Sequence, residues 1–262
     1  MISFTMDQLN GWIGHFLWPF MRLTGLILVA PVFSHGAVPN LVKIGLAFLL
    51  TVAIAPAIGN IPHIDINSWE ALLVAAQQTA IGLAMGFVMQ IIFTAVEIGG
   101  EFIGLQMGLS FAQIFDPANG ANTAVLSQFL SIVTTMLFLV FDGHLLMLSA
   151  LVHSFDVLPI GLEVLDRNGW GVVIQWGAAI FSYGLLLSLP LICALLVMNL
   201  AMGILNRAAP QLTVFSIGFP VTLISGMLLL TSVLPHSGAY FEALFQQGFE
   251  TLDHLISGLA GH

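Results

Sequence analysis

Leu185-Leu186-Leu187-Ser188-Leu189-Pro190-Leu191-Ile192-Cys193-Ala194-Leu195-Leu196-Val197-Met198 decides the fold class. The stretch lies inside a longer apolar run, 172–205, which exceeds the roughly 20 residues that a helix needs to cross a hydrocarbon core about 30 Å thick. Further apolar runs cover 12–32, 42–58, 69–113, 125–160 and 212–234, and none sustains the alternation of a strand. Hydrophobic residues make up 58% of the 262 and charged residues 6%, against roughly 25% charged in a soluble domain. Water is therefore not the main solvent. The expectation is an all-α, polytopic membrane-type protein of six to seven helical segments, several of them short or kinked, arranged as hairpins in one domain spanning 1–262.

Breaks between the runs follow turn chemistry. The first run carries Pro19 and ends at Pro31, which predicts a kinked helix followed by a turn over 34–40. Pro, Asn, Asp and His make 59–68 a loop. The run 69–113 is too long for one straight span and is interrupted near Glu97, Gly99, Gly100 and Glu101, so it predicts a hairpin or a bent pair. Asp116-Pro117-Ala118-Asn119-Gly120 is a strong loop signal. Asp142-Gly143-His144 divides 125–160 into two short helices, and Asn206-Arg207-Ala208-Ala209-Pro210 separates the last two runs, which contain Pro190 and Pro220. The tail over 236–262 is amphipathic.

Several function classes are excluded at this point. The net charge of −9 sets 13 acidic residues against Arg22, Lys43, Arg167 and Arg207, so there is no basic surface for nucleic acid. Four basic residues also leave the topology open, because charge bias has almost nothing to act on. Cys193 has no second cysteine to pair with. Asp7 before the first run and Arg22 inside it do not fit a secretory leader, and 11 onward reads as mature protein. The eight histidines are scattered, with His144 and His153 nine apart, which predicts no metal site. No phosphate loop, nucleophile elbow or metalloprotease pair is present, so no cofactor and no enzyme activity are expected.

Three constellations remain. Gly100, Gly104 and Gly108 recur every fourth residue, and Gly82 with Gly86 forms a second pair; such ladders let helix backbones approach closely, within the chain or against other subunits. Glu97 and Glu101 share a helical face in apolar surroundings, where a carboxylate needs a partner or water. Arg22 and Arg207 are the arginines available to complete a buried charge network with them, and a proton relay is the functional alternative to structural pairing. Met107, Phe111 and Phe115 form an apolar stripe running into the Asp116-Pro117 break, readable as core or as a movable seal across a pore.

Ordered motifs along nearly the whole chain carry a resemblance. They begin with Arg22-Leu23-Thr24-Gly25, Ala30-Pro31 and Val42-Lys43-Ile44-Gly45-Leu46-Ala47. Gly100-Glu101-Phe102-Ile103-Gly104-Leu105-Gln106-Met107-Gly108-Leu109-Ser110-Phe111-Ala112 follows, then Asp116-Pro117, Asp142-Gly143-His144 and Leu158-Pro159. Asn199-Leu200-Ala201, Ala209-Pro210-Gln211-Leu212 and Gly218-Phe219-Pro220 complete the set. The sequence resembles the FliR family, the export-gate proteins of flagellar type III secretion.

That resemblance implies a subunit of the bacterial inner membrane, at the flagellar basal body, assembling with the P-type and Q-type gate proteins (FliP, FliQ) into a helical hetero-oligomeric pore. The B-type switch protein (FlhB) and unfolded flagellar proteins are further implied partners, along with membrane lipid. It implies a plug over 106–122, in which Phe111 matches the family aromatic and Ile114 and Phe115 share the next bulky position. It also recasts the glycine ladder as inter-subunit contacts. The competing reading is a stand-alone proton-coupled or ion transporter using Glu97 and Glu101; an intramembrane hydrolase has no nucleophile and base to support it.

Overall fold

Apolar chain surrounded by apolar neighbours has to satisfy its own backbone donors and acceptors, and helix does this within one segment. The computed structural model describes residues 6–59, 64–66, 68–109, 125–163, 165–208 and 218–261, and no strand occurs among them. We label the helices α1 (Met6–Val29), α2 (Asn40–Ile54), α3 (Trp69–Met107), α4 (Val125–Val140), α5 (Gly143–Val157), α6 (Arg167–Trp176), α7 (Ala179–Ala208), α8 (Phe219–Val233) and α9 (Gly238–Ala260). Short 3-10 turns, Ala55–Ala57 and Leu234–His236, extend α2 and α8. Among the described residues, 5 stretches are long and apolar enough to cross a membrane, and 6 if α4 and α5 count as one broken span.

Two sequence expectations meet different outcomes here. The two short helices of 125–160 are present as α4 and α5, parted at Phe141-Asp142, where Asp142 takes the left-handed conformation with φ 54°. Asp adopts that region more readily than most side chains, which localises the break. Among the described residues of 69–113 no hairpin or second helix occurs: α3 is one helix of 39 residues, about 58 Å long at 1.5 Å per residue. Glu97, Gly99 and Gly100 do not stop it because neighbours take them up, and Glu101 stands exposed. Ser131 Oγ donates to Glu97 Oε1 at 2.8 Å, and Ser127 Oγ donates to the Glu97 carbonyl at 2.7 Å. Similarly, α1 continues through Pro19 and α7 through Pro190.

Contacts divide the chain into two compact units, each assembled from separated segments. The first comprises Met1–Ile91, Asp142–Gly177 and Phe245–His262. Here α1 lies along the first half of α3, backbone against backbone: a Cβ on Gly82 would collide with the Arg22 carbonyl, and one on Gly25 would stand 2.5 Å from the Thr79 carbonyl oxygen. Leu23 and Leu26 of α1 and Ile81 and Met85 of α3 are completely buried. In the same unit α6 meets α9 through Gly169 and Gly258, and Asp166 N–H donates to the Leu259 carbonyl at 3.1 Å.

The second unit comprises Ile92–Phe141 and Ala178–Leu244. Gly99 and Gly184 bring the second half of α3 against α7, with a Gly99 Cβ position 2.9 Å from the Gly184 carbonyl oxygen. Gly100 does the same for α4, where a Cβ would stand 2.7 Å from Ser127 Cα. Phe93 and Phe138 pack edge to face at 5.4 Å between centroids. The Tyr240 hydroxyl of α9 donates to the Tyr183 carbonyl at 2.7 Å; burial, and secondarily the Tyr183 phenol, push its pKa up to about 12, so it remains a donor.

These seams generate a discriminating test. Gly82→Ala should destabilise the chain by about 1–3 kcal/mol, because the new methyl meets backbone that has no rotamer to escape into. Gly45→Ala, with nothing within 4 Å of the added Cβ, should be neutral. Thermal midpoints of the detergent-solubilised chain compare the two, and equal midpoints would show that the α1–α3 seam tolerates separation.

Candidate functional site

Arg22 is completely buried in α1. A guanidinium there needs its N–H groups satisfied, since burying a charge without partners costs several kcal/mol. Nε donates to Gln78 Oε1 of α3 at 2.8 Å. One terminal nitrogen donates to both the carbonyl and the hydroxyl of Ser154, each at 2.9 Å, and the other donates to the Leu158 carbonyl at 2.9 Å. The guanidinium carbon also stands 4.1 Å from the Phe155 ring centroid. Because Ser154 and Leu158 lie at the C-terminal end of α5, the cation meets the electronegative end of that helix dipole. Three helices of the first unit, α1, α3 and α5, are tied at one side chain.

The bonds of Arg22 do not include the carboxylates of the expected charge network. Of its four members only Arg22 is buried, and the partners found for it are neutral. Glu97 is half-buried and accepts from Ser131, whereas Glu101 and Arg207 are exposed. Carbonyls with aligned dipoles have taken the place of a carboxylate. The glycine reading also divides. Gly82 and Gly86 lie against the chain's own α1 and Gly100 against its own α4, an intrachain close approach at three of the five positions. Gly104 is buried.

Gly108 has another role. It takes φ 84° immediately after α3 and donates its N–H to the Leu105 carbonyl at 3.0 Å, while Leu109 N–H reaches back to the Gly104 carbonyl at 3.0 Å. That pair of bonds is a Schellman cap, and it requires the left-handed residue that glycine supplies. Met107, one position earlier, is 1% exposed, and its side chain fills the space a Cβ on Gly226 of α8 would occupy. The Thr222 hydroxyl lies 3.3 Å from the Met107 carbonyl, and Asn199 Nδ2 lies 3.5 Å from the Gln106 carbonyl. Phe111, Ile114 and Phe115 lie outside the described residues.

Sequence reasoning missed Gln78, Ser154 and Phe155 around Arg22, and Asn199, Thr222 and Gly226 around the end of α3. Gln78 was visible as a polar residue inside an apolar run; the others are small or common residues in apolar helices and carry no local signal. Among the described residues no group of three or more His, Cys, Asp or Glu gathers as a metal site.

The family model described as bacterial export proteins, family 1, matches residues 13–248. Over 259 residues, 99% of each chain, the sequence is 45% identical to flagellar biosynthetic protein FliR of Escherichia coli (strain K12). It is 42% identical to the protein of the same name from Pectobacterium carotovorum subsp. carotovorum, again over 99% of each chain. Identity to the Bacillus subtilis (strain 168) protein of that name is 28%, over 92% of this chain and 94% of the relative.

Arg22→Met keeps the volume but leaves Gln78 Oε1 and the Leu158 carbonyl without these donors, at about 1–3 kcal/mol for each acceptor left unpaired. Arg22→Lys should recover little, since one ammonium cannot reproduce the fork that spans α3 and α5. Both variants should accumulate poorly in membranes and melt earlier in detergent. A native midpoint for Arg22→Met would show the node to be dispensable.

Proposed function

The chain belongs to family 1 of the bacterial export proteins, and we propose that it is a non-enzymatic subunit of the flagellar export gate. With P-type and Q-type subunits it forms a pore through which unfolded flagellar proteins leave the cell, in the inner membrane at the basal body, with the B-type switch protein as a further neighbour. The observation that carries this reading is the near full-length likeness to flagellar biosynthetic proteins.

The distribution of burial supports it physically. In the most apolar part of α3, 67% of residues are buried, against 17% in each of the corresponding parts of α2 with its 3-10 turn, of α6 with α7, and of α8 with its 3-10 turn. Leu41 and Leu49 of α2, Val197 and Leu200 of α7, and Leu228 of α8 are each more than 60% exposed. Such faces need lipid or other apolar helices to cover them. A multi-subunit gate supplies both.

Closure falls to the segment 106–122. Met107 is already taken up by packing against Gly226, so the seal is assigned to Phe111, Ile114 and Phe115. A ring of apolar side chains stops ions because a hydrated ion cannot shed its water into an apolar constriction, while a polypeptide pushing through displaces the same side chains.

The test is potassium conductance of membranes carrying the assembled gate. Phe111→Ala, and deletion of 113–121, should raise it several-fold at unchanged assembly; native conductance in an intact complex would move the seal to the partner subunits. Glu97→Gln and Glu101→Gln should leave export near the native level. Loss of a proton-driven flux in those variants would instead favour a transporter.

A further inference from the structure

An α-helix leaves the carbonyls of its last four residues without intrahelical donors. At the end of α3 these belong to Gly104, Leu105, Gln106 and Met107, and each has a donor within reach inside the described part of the chain. Leu109 N–H and Gly108 N–H serve the first two, both at 3.0 Å. Asn199 Nδ2 of α7 serves Gln106 at 3.5 Å, and the Thr222 hydroxyl of α8 serves Met107 at 3.3 Å. The Met107 side chain then occupies the notch left by Gly226, one turn along α8 from Thr222.

We propose that Asn199, Thr222 and Gly226 are positioning residues that clamp the last turn of α3 and so set the place and direction in which the chain departs from it. This rests on the reading of 106–122 as the seal, and adds what holds the seal in register. Capping alone would need only the two backbone bonds. The two side-chain bonds come from different helices, α7 and α8, so the terminus is tied to two neighbours at once.

The clamp has the energetics of a holding contact that can give way. Both side-chain bonds are long. Thr222 has one hydroxyl hydrogen and a second acceptor, the Phe219 carbonyl of its own helix at 3.0 Å, so releasing Met107 leaves the hydroxyl satisfied. The Met107–Gly226 contact is tight and runs along the whole unbranched side chain: an added Cβ would stand 2.6 Å from Met107 Cγ and 2.8 Å from Sδ and Cε. Gly226→Ala therefore moves Met107 without driving backbone into backbone, unlike Gly82→Ala.

The experiment measures potassium efflux from membrane vesicles carrying the complete gate, with assembly checked by co-purification. Thr222→Val, which keeps shape and removes the hydroxyl, and Gly226→Ala should each raise efflux several-fold. Adding Met107→Ala to Gly226→Ala returns the missing space and should bring efflux back towards native, a rescue that general destabilisation would not produce. Deletion of 113–121 runs beside them. If the deletion leaks but both point variants stay tight in an intact complex, the clamp is overturned and the seal stands; if the deletion stays tight, the seal is overturned and the clamp with it. A double variant as leaky as Gly226→Ala alone removes the Met107 contact from the proposal. Should Gly226→Ala fail to assemble, Thr222→Val decides.

Discussion

A guanidinium sealed inside apolar helices is the constraint around which the first unit is built. Arg22 cannot leave its five N–H groups dry, and the partners it has found are uncharged: an amide, a hydroxyl and two carbonyls at the end of a helix. A carboxylate would add a second desolvation cost, whereas the Leu158 carbonyl lies just past the last helical turn and the Ser154 carbonyl, already bonded to Leu158 N–H at 3.0 Å, still has a second lone pair to offer. One cation thus satisfies acceptors from α3 and from the end of α5 together, and the three segments have to arrive in register for any of the bonds to form.

Register in turn demands close approach. The Arg22 carbonyl faces Gly82, so the residue that carries the node also needs a glycine opposite its own backbone. The same device recurs in the second unit at Gly99, Gly100 and Gly184, where hydroxyl bonds from Ser127 and Ser131 accompany it. Between apolar helices no hydrophobic drive separates one packing from another in lipid, so dispersion at short range and a few polar bonds have to select the arrangement. Apolar faces of α2, α7 and α8 are left uncovered over much of their length.

The end of α3 shows how a local motif acquires meaning from its surroundings. Gly108 continues an every-fourth-residue pattern, yet its left-handed backbone makes it a cap; Met107 begins an apolar stripe, yet it is seated on Gly226. Spacing along a helix identifies residues that share a face without saying whether the helix is still running when it reaches them.

The amino-acid sequence by itself determined the class of solvent, the helical character, the break at Asp142 and the family, because hydropathy, turn chemistry and ordered motifs are properties of short windows. Only the tertiary structure decided that α3 runs unbroken through Glu97 to Glu101, that Arg22 is held by neutral groups 56 to 136 residues away, and that Glu101 and Arg207 are exposed. A buried charge announces that it needs partners. Which partners it takes depends on what the packing brings within about 3 Å, and no window of local sequence contains that distance.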